Sequence, residues 1–165
     1  MEQEKNEYNI EVIILKKEDK CFIGTKQAMN DTSTLYVFGD NLARKGFAGQ
    51  AAVFRGLQNS FGICTKIKPS NDHDAFFNDT KYKENISHIH QDFVHLMSEI
   101  ANNSYQKIVF LPLGEGLAKL KEKAPYTYEY LQKCIEKAKF YLENNDISFY
   151  EKSLFKNTIS AWLTS

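Results

Sequence analysis

The segment Lys107–Leu113 (KIVFLPL) is the feature that most restricts the fold of this chain. Its apolar residues are nearly continuous, which is typical of a strand that is buried on both faces. Such a strand needs apolar elements packed above and below its sheet. Parallel sheets covered by helices provide that environment, so the segment favours an α/β protein.

The remaining segments alternate between strand and helix patterns. Short apolar runs predict strands at Asn9–Lys16, Thr34–Phe38 and Gly62–Ile67. Helical spacing of apolar residues predicts helices at Gln50–Leu57, Asn85–Asn102 and Thr127–Leu142. Cys21–Asn30 fits either a short helix or an edge element, and the polar segment Lys68–Lys83 predicts a long surface loop. This order predicts a single domain over residues 1–165, a three-layer α/β/α sandwich with a mixed, largely parallel sheet.

Charge and cysteine content exclude several classes of protein. The 165 residues include 21 basic and 21 acidic side chains, and this zero net charge disfavours binding to a nucleic-acid duplex. The N-terminal residues are charged, and no apolar run approaches the roughly 20 residues that a membrane helix needs. Cys21, Cys64 and Cys134 are odd in number and lack CxxC spacing, as expected of reduced thiols. We therefore expect a cytoplasmic protein that does not bind membranes.

Glycines are concentrated at the ends of two predicted strands. In the first block, Gly39, Asp40 and Asn41 follow a strand, and a loop from Gly46 to Gly49 leads to the helix that begins near Gln50. Glycines let the backbone approach a ligand closely, and helix N-termini attract anions. We expect a phosphate in this loop, with a sugar hydroxyl or an amide near the strand end. The only two arginines of the chain, Arg44 and Arg55, are candidates for bidentate contacts to that phosphate.

The second block, Gly114-Glu115-Gly116-Leu117, follows the buried strand in the same way. Because ligands of parallel sheets bind at the carboxyl ends of the strands, the two blocks are expected to meet in space. Two facing loops would then hold a diphosphate from both sides. The alternative is that the glycines serve only tight turns and that both arginines lie on a solvated face, since neither block matches a standard phosphate-binding motif.

Other polar clusters have weaker patterns. His88, His90 and His95 lack the spacing of a metal site, and no metal or cofactor is predicted. Asp72, His73, Asp74 and Asp79 fit a flexible acidic loop better than a cation site or a lid. Tyr126, Tyr128 and Tyr130 are candidates for stacking on a base, although packing or a surface position explains most of them better. The aromatic C-terminal segment fits either the core or a dimer interface, which leaves a homo-oligomer open.

Several motifs resemble those of a phage and bacterial family of uncharacterised domains with the pattern VFGDN-x-x-R-x-G-x-G-G-Q-A followed by GIPTK. The matching residues are Val37–Asn41, Arg44, Gly46, Gly49–Ala51, Arg55, Asn59, Gly62–Lys66, Phe110–Ala118 and Ala124–Leu131. That family is in turn similar to macrodomains, α/β/α sandwiches that bind ADP-ribose and related nucleotides. Ala48 and Cys64 depart from the pattern, and Glu115 would place a carboxylate close to phosphate.

The resemblance implies a macrodomain-like module that binds a nucleotide of the ADP-ribose, NAD-derived or cyclic-nucleotide class. In a viral setting, such a module would sequester a host signalling nucleotide in the host cytoplasm. A nucleotide or ADP-ribosyl hydrolase is the alternative, with Asp40, Asn41 and Glu115 as catalytic candidates; a phage structural or interaction protein is a third. The candidate ligand-binding residues are Gly39, Asp40, Asn41, Arg44, Gly46, Phe47, Ala48, Gly49, Gln50, Arg55, Thr65, Lys66, Gly114, Glu115, Gly116 and Leu117.

Overall fold

A four-stranded, all-parallel sheet forms the centre of the computed structural model, which describes residues 10–144. The strands are β1 (Glu11–Ile14), β2 (Thr34–Asn41), β3 (Ser60–Lys66) and β4 (Lys107–Phe110), arranged in the order β1-β4-β2-β3. The helices are α1 (Thr25–Asn30), α2 (Gln50–Phe54), α3 (Tyr82–Ala101), α4 (Leu120–Lys123) and α5 (Pro125–Glu143). The C-terminal aromatic segment lies outside the described residues.

Strand β4 is buried on both faces, as its apolar run predicts. Ile108 and Phe110 pack into the core beneath α3 and α5, whereas Val109 and Leu111 face the smaller core beneath α1 and α2. Helices therefore cover both faces of the sheet, which confirms the α/β/α class. All three pairs of neighbouring strands among the described residues are parallel, so no hairpin joins them.

The end of β2 differs from the sequence prediction. Strand β2 continues past Phe38 through Gly39, Asp40 and Asn41, and its pairing with β3 shifts register between the last two of these. Gly39, which the sequence pattern places after the strand, is tolerated inside it because β3 continues to pair alongside. A register shift at the end of a strand changes the direction in which the next side chains point.

The prediction of a surface loop over Lys68–Lys83 is wrong in its middle. Ala75, Phe76 and Phe77 are buried, and Phe77 belongs to the larger core. The carbonyl of Ala75 accepts hydrogen bonds from the amides of Ile67 and Lys68, which folds the segment back onto the end of β3. Because polar residues surround these three side chains, the sequence pattern does not predict that the middle of the segment is buried.

Candidate functional site

A cleft of about 460 Å³ opens where β2, β3 and β4 end at their carboxyl edge. Its walls are the loop that precedes α2, the loop that follows β4 and the loop at residues 69–71. The two glycine blocks therefore line one cavity, as their positions after parallel strands predict. The lining residues are Gly39, Asp40, Asn41, Lys45, Gly46, Ala48, Gly49, Gln50, Ala51, Thr65, Lys66, Pro69, Ser70, Asn71, Pro112, Gly114, Gly116, Leu117 and Ala118.

The loops around the cleft touch each other at glycines. A Cβ atom on Gly49 would lie 3.1 Å from the Cδ1 atom of Leu117 in the second glycine block. A Cβ atom on Gly46 would lie 3.0 Å from the Cβ atom of Pro69. Both glycines have positive φ angles, +59° and +91°, so the backbone and the close packing each favour glycine at these two positions.

Gln50 joins the ends of two strands across the floor of the cleft. Its Oε1 atom accepts a hydrogen bond from the amide of Gly39 at 2.7 Å, and its Nε2 atom donates to the carbonyl of Pro112 at 2.9 Å. These bonds fix α2 relative to β2 and to the chain after β4. Gln50 therefore acts as a structural brace within a site where the sequence suggested a ligand contact.

Asn41 is also used to build the first loop. Its Nδ2 atom donates to the carbonyl of Lys45 at 2.8 Å, and its Oδ1 atom accepts from the amide of the same residue at 3.4 Å. Asn41 is buried although it lines the cleft. Both ends of the amide therefore hold the loop in place.

Asp40 is held by both arginines of the chain. Its Oδ1 and Oδ2 atoms accept hydrogen bonds from Arg55 at 2.5 and 3.2 Å, and Arg44 lies 3.5 Å from Oδ2. The Arg55 Nε atom also donates to the carbonyl of Gly46 at 2.7 Å, which ties the first loop to this ion pair. A Cβ atom on Gly62 would lie 2.6 Å from Asp40 Oδ2, so the absence of a side chain at Gly62 leaves room for the carboxylate.

Arg44 is anchored on its other side by Asp92 of α3. The Arg44 Nη2 atom lies 2.5 Å from Asp92 Oδ1, and Asp92 Oδ2 accepts the amide of Cys64 at 2.7 Å. Burial alone would lower the pKa of Arg44, but the hydrogen bond and charge of Asp92 raise it above its ordinary value. Arg44 and Arg55 both lie outside the cleft lining, where their guanidinium groups bind protein carboxylates and carbonyls.

Lys66 is a nearly buried residue that brings a positive charge to the cleft. The residue is 9% exposed, and its Nζ atom lies 4.6 Å from the centre of the Phe76 ring. Within residues 10–144, its ammonium group has no carboxylate partner and no hydrogen bond. Burial, together with the charge of Lys119, lowers the pKa of Lys66.

Glu115 is directed away from this lysine. Its Oε1 atom accepts a hydrogen bond from the Tyr128 hydroxyl at 2.8 Å, and its Oε2 atom accepts from the amide of Lys17 at 3.3 Å. Burial and this hydrogen bond raise the pKa of Tyr128 to about 12. Glu115 is not among the residues that line the cleft, so the carboxylate that the sequence placed near phosphate lies on the outer side of the loop.

The structure thus divides the sequence-derived candidates into two groups. Those that line the cleft are Gly39, Asp40, Asn41, Gly46, Ala48, Gly49, Gln50, Thr65, Lys66, Gly114, Gly116 and Leu117; those outside it are Arg44, Phe47, Arg55 and Glu115. Sequence reasoning missed Lys45 and the wall formed by Pro69, Ser70 and Asn71. The Pro-Ser-Asn turn signal identified a loop, but nothing local to it indicated that the loop folds over Gly46.

The other polar clusters have structural partners. Asp79 accepts hydrogen bonds from the amides of Tyr126 and Thr127 at 2.9 and 3.0 Å, so it caps the first turn of α5. Among residues 10–144, no group of three or more His, Cys, Asp or Glu side chains has the arrangement of a metal site. In the same range, no helix is both long and apolar enough to cross a bilayer.

Comparison with known proteins assigns the chain to a family. A model of the family of unknown function DUF7831 matches residues 18–134, which is more than half of the chain. The chain belongs to this family. No curated protein and no solved structure shows a significant match. The matched range includes all three walls of the cleft, the buried residues of the smaller core and most of those of the larger core.

Proposed function

We propose that the cleft binds a small phosphate-bearing molecule, a nucleotide of the ADP-ribose, NAD-derived or cyclic-nucleotide class. The observation that carries this proposal is Lys66, a nearly buried residue that lines the cleft and whose ammonium group has no carboxylate partner in the described chain. A charge withdrawn from water costs free energy unless a group of opposite charge compensates it. A ligand phosphate would supply that compensation.

Unpaired backbone amides support the same proposal. Within the described residues, no amide from Gly46 to Gly49 or from Gly114 to Ala118 donates a hydrogen bond to another protein group. These two segments face one cleft. Backbone amides in glycine-rich loops are common ligands of phosphate oxygens because no side chain hinders the approach. The two loops therefore offer donors to an anion without requiring a basic protein surface.

The balance of charge in the cleft also favours an anion. Among the described residues, Asp40 is the one carboxylate that lines it, and Arg55 neutralises that carboxylate through two hydrogen bonds. Lys45 and Lys66 then remain as the charged lining residues. The volume of about 460 Å³ lies within the range of roughly 300–1,000 Å³ that is usual for small-molecule sites.

Binding without turnover is favoured over hydrolysis. Of the three catalytic candidates, Asp40 is paired with Arg55, Asn41 holds the loop backbone, and Glu115 lies outside the cleft. A general base must reach the proton that it removes. The proposed role is therefore capture of a nucleotide, consistent with sequestration of a signalling molecule.

Isothermal titration calorimetry with ADP-ribose, cyclic ADP-ribose isomers and cyclic dinucleotides tests the proposal. Lys66→Met should weaken the binding of the tightest ligand by roughly 10- to 100-fold, since a charge-assisted hydrogen bond contributes about 1.5–3 kcal/mol. Lys123→Met is the matched control because its Nζ atom lies 4.5 Å from the same Phe76 ring but outside the cleft lining. The control should bind as the wild type does.

Two results would contradict the proposal. The first is a dissociation constant weaker than about 1 mM for every nucleotide of the panel. The second is equal loss of affinity in Lys66→Met and Lys123→Met. Chromatography of the ligand released by denaturation separates binding from turnover: intact ligand supports capture, and altered ligand supports the hydrolase alternative.

A further inference from the structure

A second cavity, of about 370 Å³, lies on the other side of the Gly116 loop from the cleft. The two cavities share three lining residues, Gln50, Pro112 and Gly116. A Cβ atom built on Gly116 has no neighbouring atom within 4 Å, so the space beside the backbone there is open. The three shared residues thus form a ridge between the cavities, and the open space at Gly116 leaves room for a ligand to cross it.

The chemistry of the second cavity differs from that of the cleft. Its lining includes Phe22, whose side chain is 97% exposed, and three lysines, Lys16, Lys17 and Lys20. None of these lysines forms a salt bridge within the described residues. Large aromatic side chains that are fully exposed beside unpaired cations are typical of surfaces that stack nucleobases and attract phosphates.

The carboxylate of Glu115 connects the Gly116 loop to a segment that lines the second cavity. It accepts hydrogen bonds from the Lys17 amide at 3.3 Å and from the Tyr128 hydroxyl at 2.8 Å. These bonds join the segment that carries Phe22 to the loop that borders the cleft. The relative position of the two cavities is therefore set by direct contacts.

We propose that the second cavity is a nucleobase subsite, in which an aromatic base stacks on Phe22 while the phosphate of the same ligand occupies the cleft. This inference rests on the proposed function and narrows it to ligands long enough to cross Gly116. The lysines of the second cavity place positive charge beside the stacked base. A second phosphate in the ligand would bring its negative charge close to these lysines. A ligand that lacks a base uses the cleft alone.

The test compares Phe22→Ala with wild type, using ADP-ribose and cyclic di-AMP as base-bearing probes and inorganic pyrophosphate as the base-free probe. Loss of one stacked base should weaken the tighter base-bearing probe by roughly 5- to 100-fold and leave pyrophosphate unchanged. Phe22 makes little contact with the fold, so this variant should keep the wild-type melting temperature. Phe140→Ala is the matched control, since Phe140 is an exposed aromatic on α5 that lines neither cavity.

Cys21 provides an independent readout because it is exposed and lines the second cavity beside Phe22. A saturating base-bearing probe should slow the reaction of Cys21 with a thiol reagent, and saturating pyrophosphate should not. Protection of Cys21 by both probes to the same degree would overturn the subsite.

The outcomes separate this inference from the proposed function. If a base-bearing probe binds, is weakened by Lys66→Met and is unaffected by Phe22→Ala, the cleft is a binding site and the nucleobase subsite is refuted. Equal weakening of pyrophosphate and the base-bearing probe by Phe22→Ala also refutes it. If neither pyrophosphate nor any nucleotide of the calorimetry panel binds, both proposals fail together.

Discussion

The carboxylate of Asp40 and the guanidinium of Arg55 form a nearly buried, bidentate ion pair, with N–O distances of 2.5 and 3.2 Å. The side chains are 4% and 16% exposed. Through its Nε atom, Arg55 also holds the carbonyl of Gly46. The pair therefore connects the end of β2 to the loop that forms one wall of the cleft.

Replacing Arg55 with Met should lower the free energy of unfolding by about 3 kcal/mol, because it leaves most of the Asp40 charge buried and uncompensated. Equilibrium urea unfolding measures this change. The double variant Arg55→Met with Asp40→Asn should lose less than the sum of the single variants, since removing both charges removes the penalty. Additive losses would show that the ion pair contributes no coupling. Lys68→Met, at the exposed pair with Asp74, should leave the unfolding midpoint unchanged.

Replacing Gly49 with Ala should weaken ligand binding, and the loss of affinity should exceed what the loss of folding stability alone explains. Gly49 has φ +59° and ψ −132°, a conformation that disfavours L side chains, and the new methyl group would press against Leu117. Gly56→Ala is the control, since Gly56 has φ +91° but open space around it. Gly56→Ala should lose about 1–2 kcal/mol in urea unfolding, and Gly49→Ala should lose more because of the added contact with Leu117. Calorimetry should detect weaker nucleotide binding only in Gly49→Ala, and unchanged binding there would contradict the assignment of this loop to the site.

The stability of the protein should depend on the pH through Lys66. Burial and Lys119 lower its pKa in the folded state below the ordinary value of 10.5, so the unfolded chain binds more protons between those two values. Stability attributable to this residue should therefore rise with pH in that window. Lys66→Met should be at least as stable as wild type near pH 7, and its advantage should vanish above about pH 10.5. Thermal unfolding from pH 7 to 11 measures the difference; a variant that is less stable at neutral pH would contradict the cost assigned to the charge.

Thiol chemistry should distinguish one cysteine from the other two. Cys21 is exposed, whereas Cys64 and Cys134 are buried. Burial, and then the charge of Asp92, raises the pKa of Cys64; burial raises the pKa of Cys134 to about 12. One thiol per chain should react quickly with Ellman's reagent in the native protein, and three should react in urea. Cys21→Ser should abolish the fast reaction, and a fast reaction that persists in this variant would show that a buried thiol becomes accessible.

The elements of the fold could be predicted where local pattern and tertiary environment agree. The apolar run at β4 required cover on both faces, and the helical stripe with Ile89, Phe93 and Met97 required one apolar side. Phe77 could not be predicted in the same way, because its burial depends on the fold of the loop back onto β3 rather than on its neighbours in sequence.

The sequence predicts where the site lies but not which role each of its residues has. Parallel strands bring their carboxyl ends to one edge of the sheet, so the sequence alone predicts that the two glycine blocks lie close together. The partner of each charged side chain depends on residues that are distant in sequence. Arg44 reaches Asp92, 48 positions away, and Glu115 reaches Lys17, 98 positions away.

The sequence by itself determined the layered α/β architecture and the concentration of glycines at the strand ends, because periodicity and backbone freedom are local properties. Only the tertiary structure decided that Arg44 pairs with Asp92 and that Arg55 pairs with Asp40. It also decided that Glu115 lies outside the cleft, and that Lys66 lines the cleft without a carboxylate partner in the described chain. Electrostatic free energy depends on distance and burial in three dimensions, and neither is encoded in the identity of a charged residue alone.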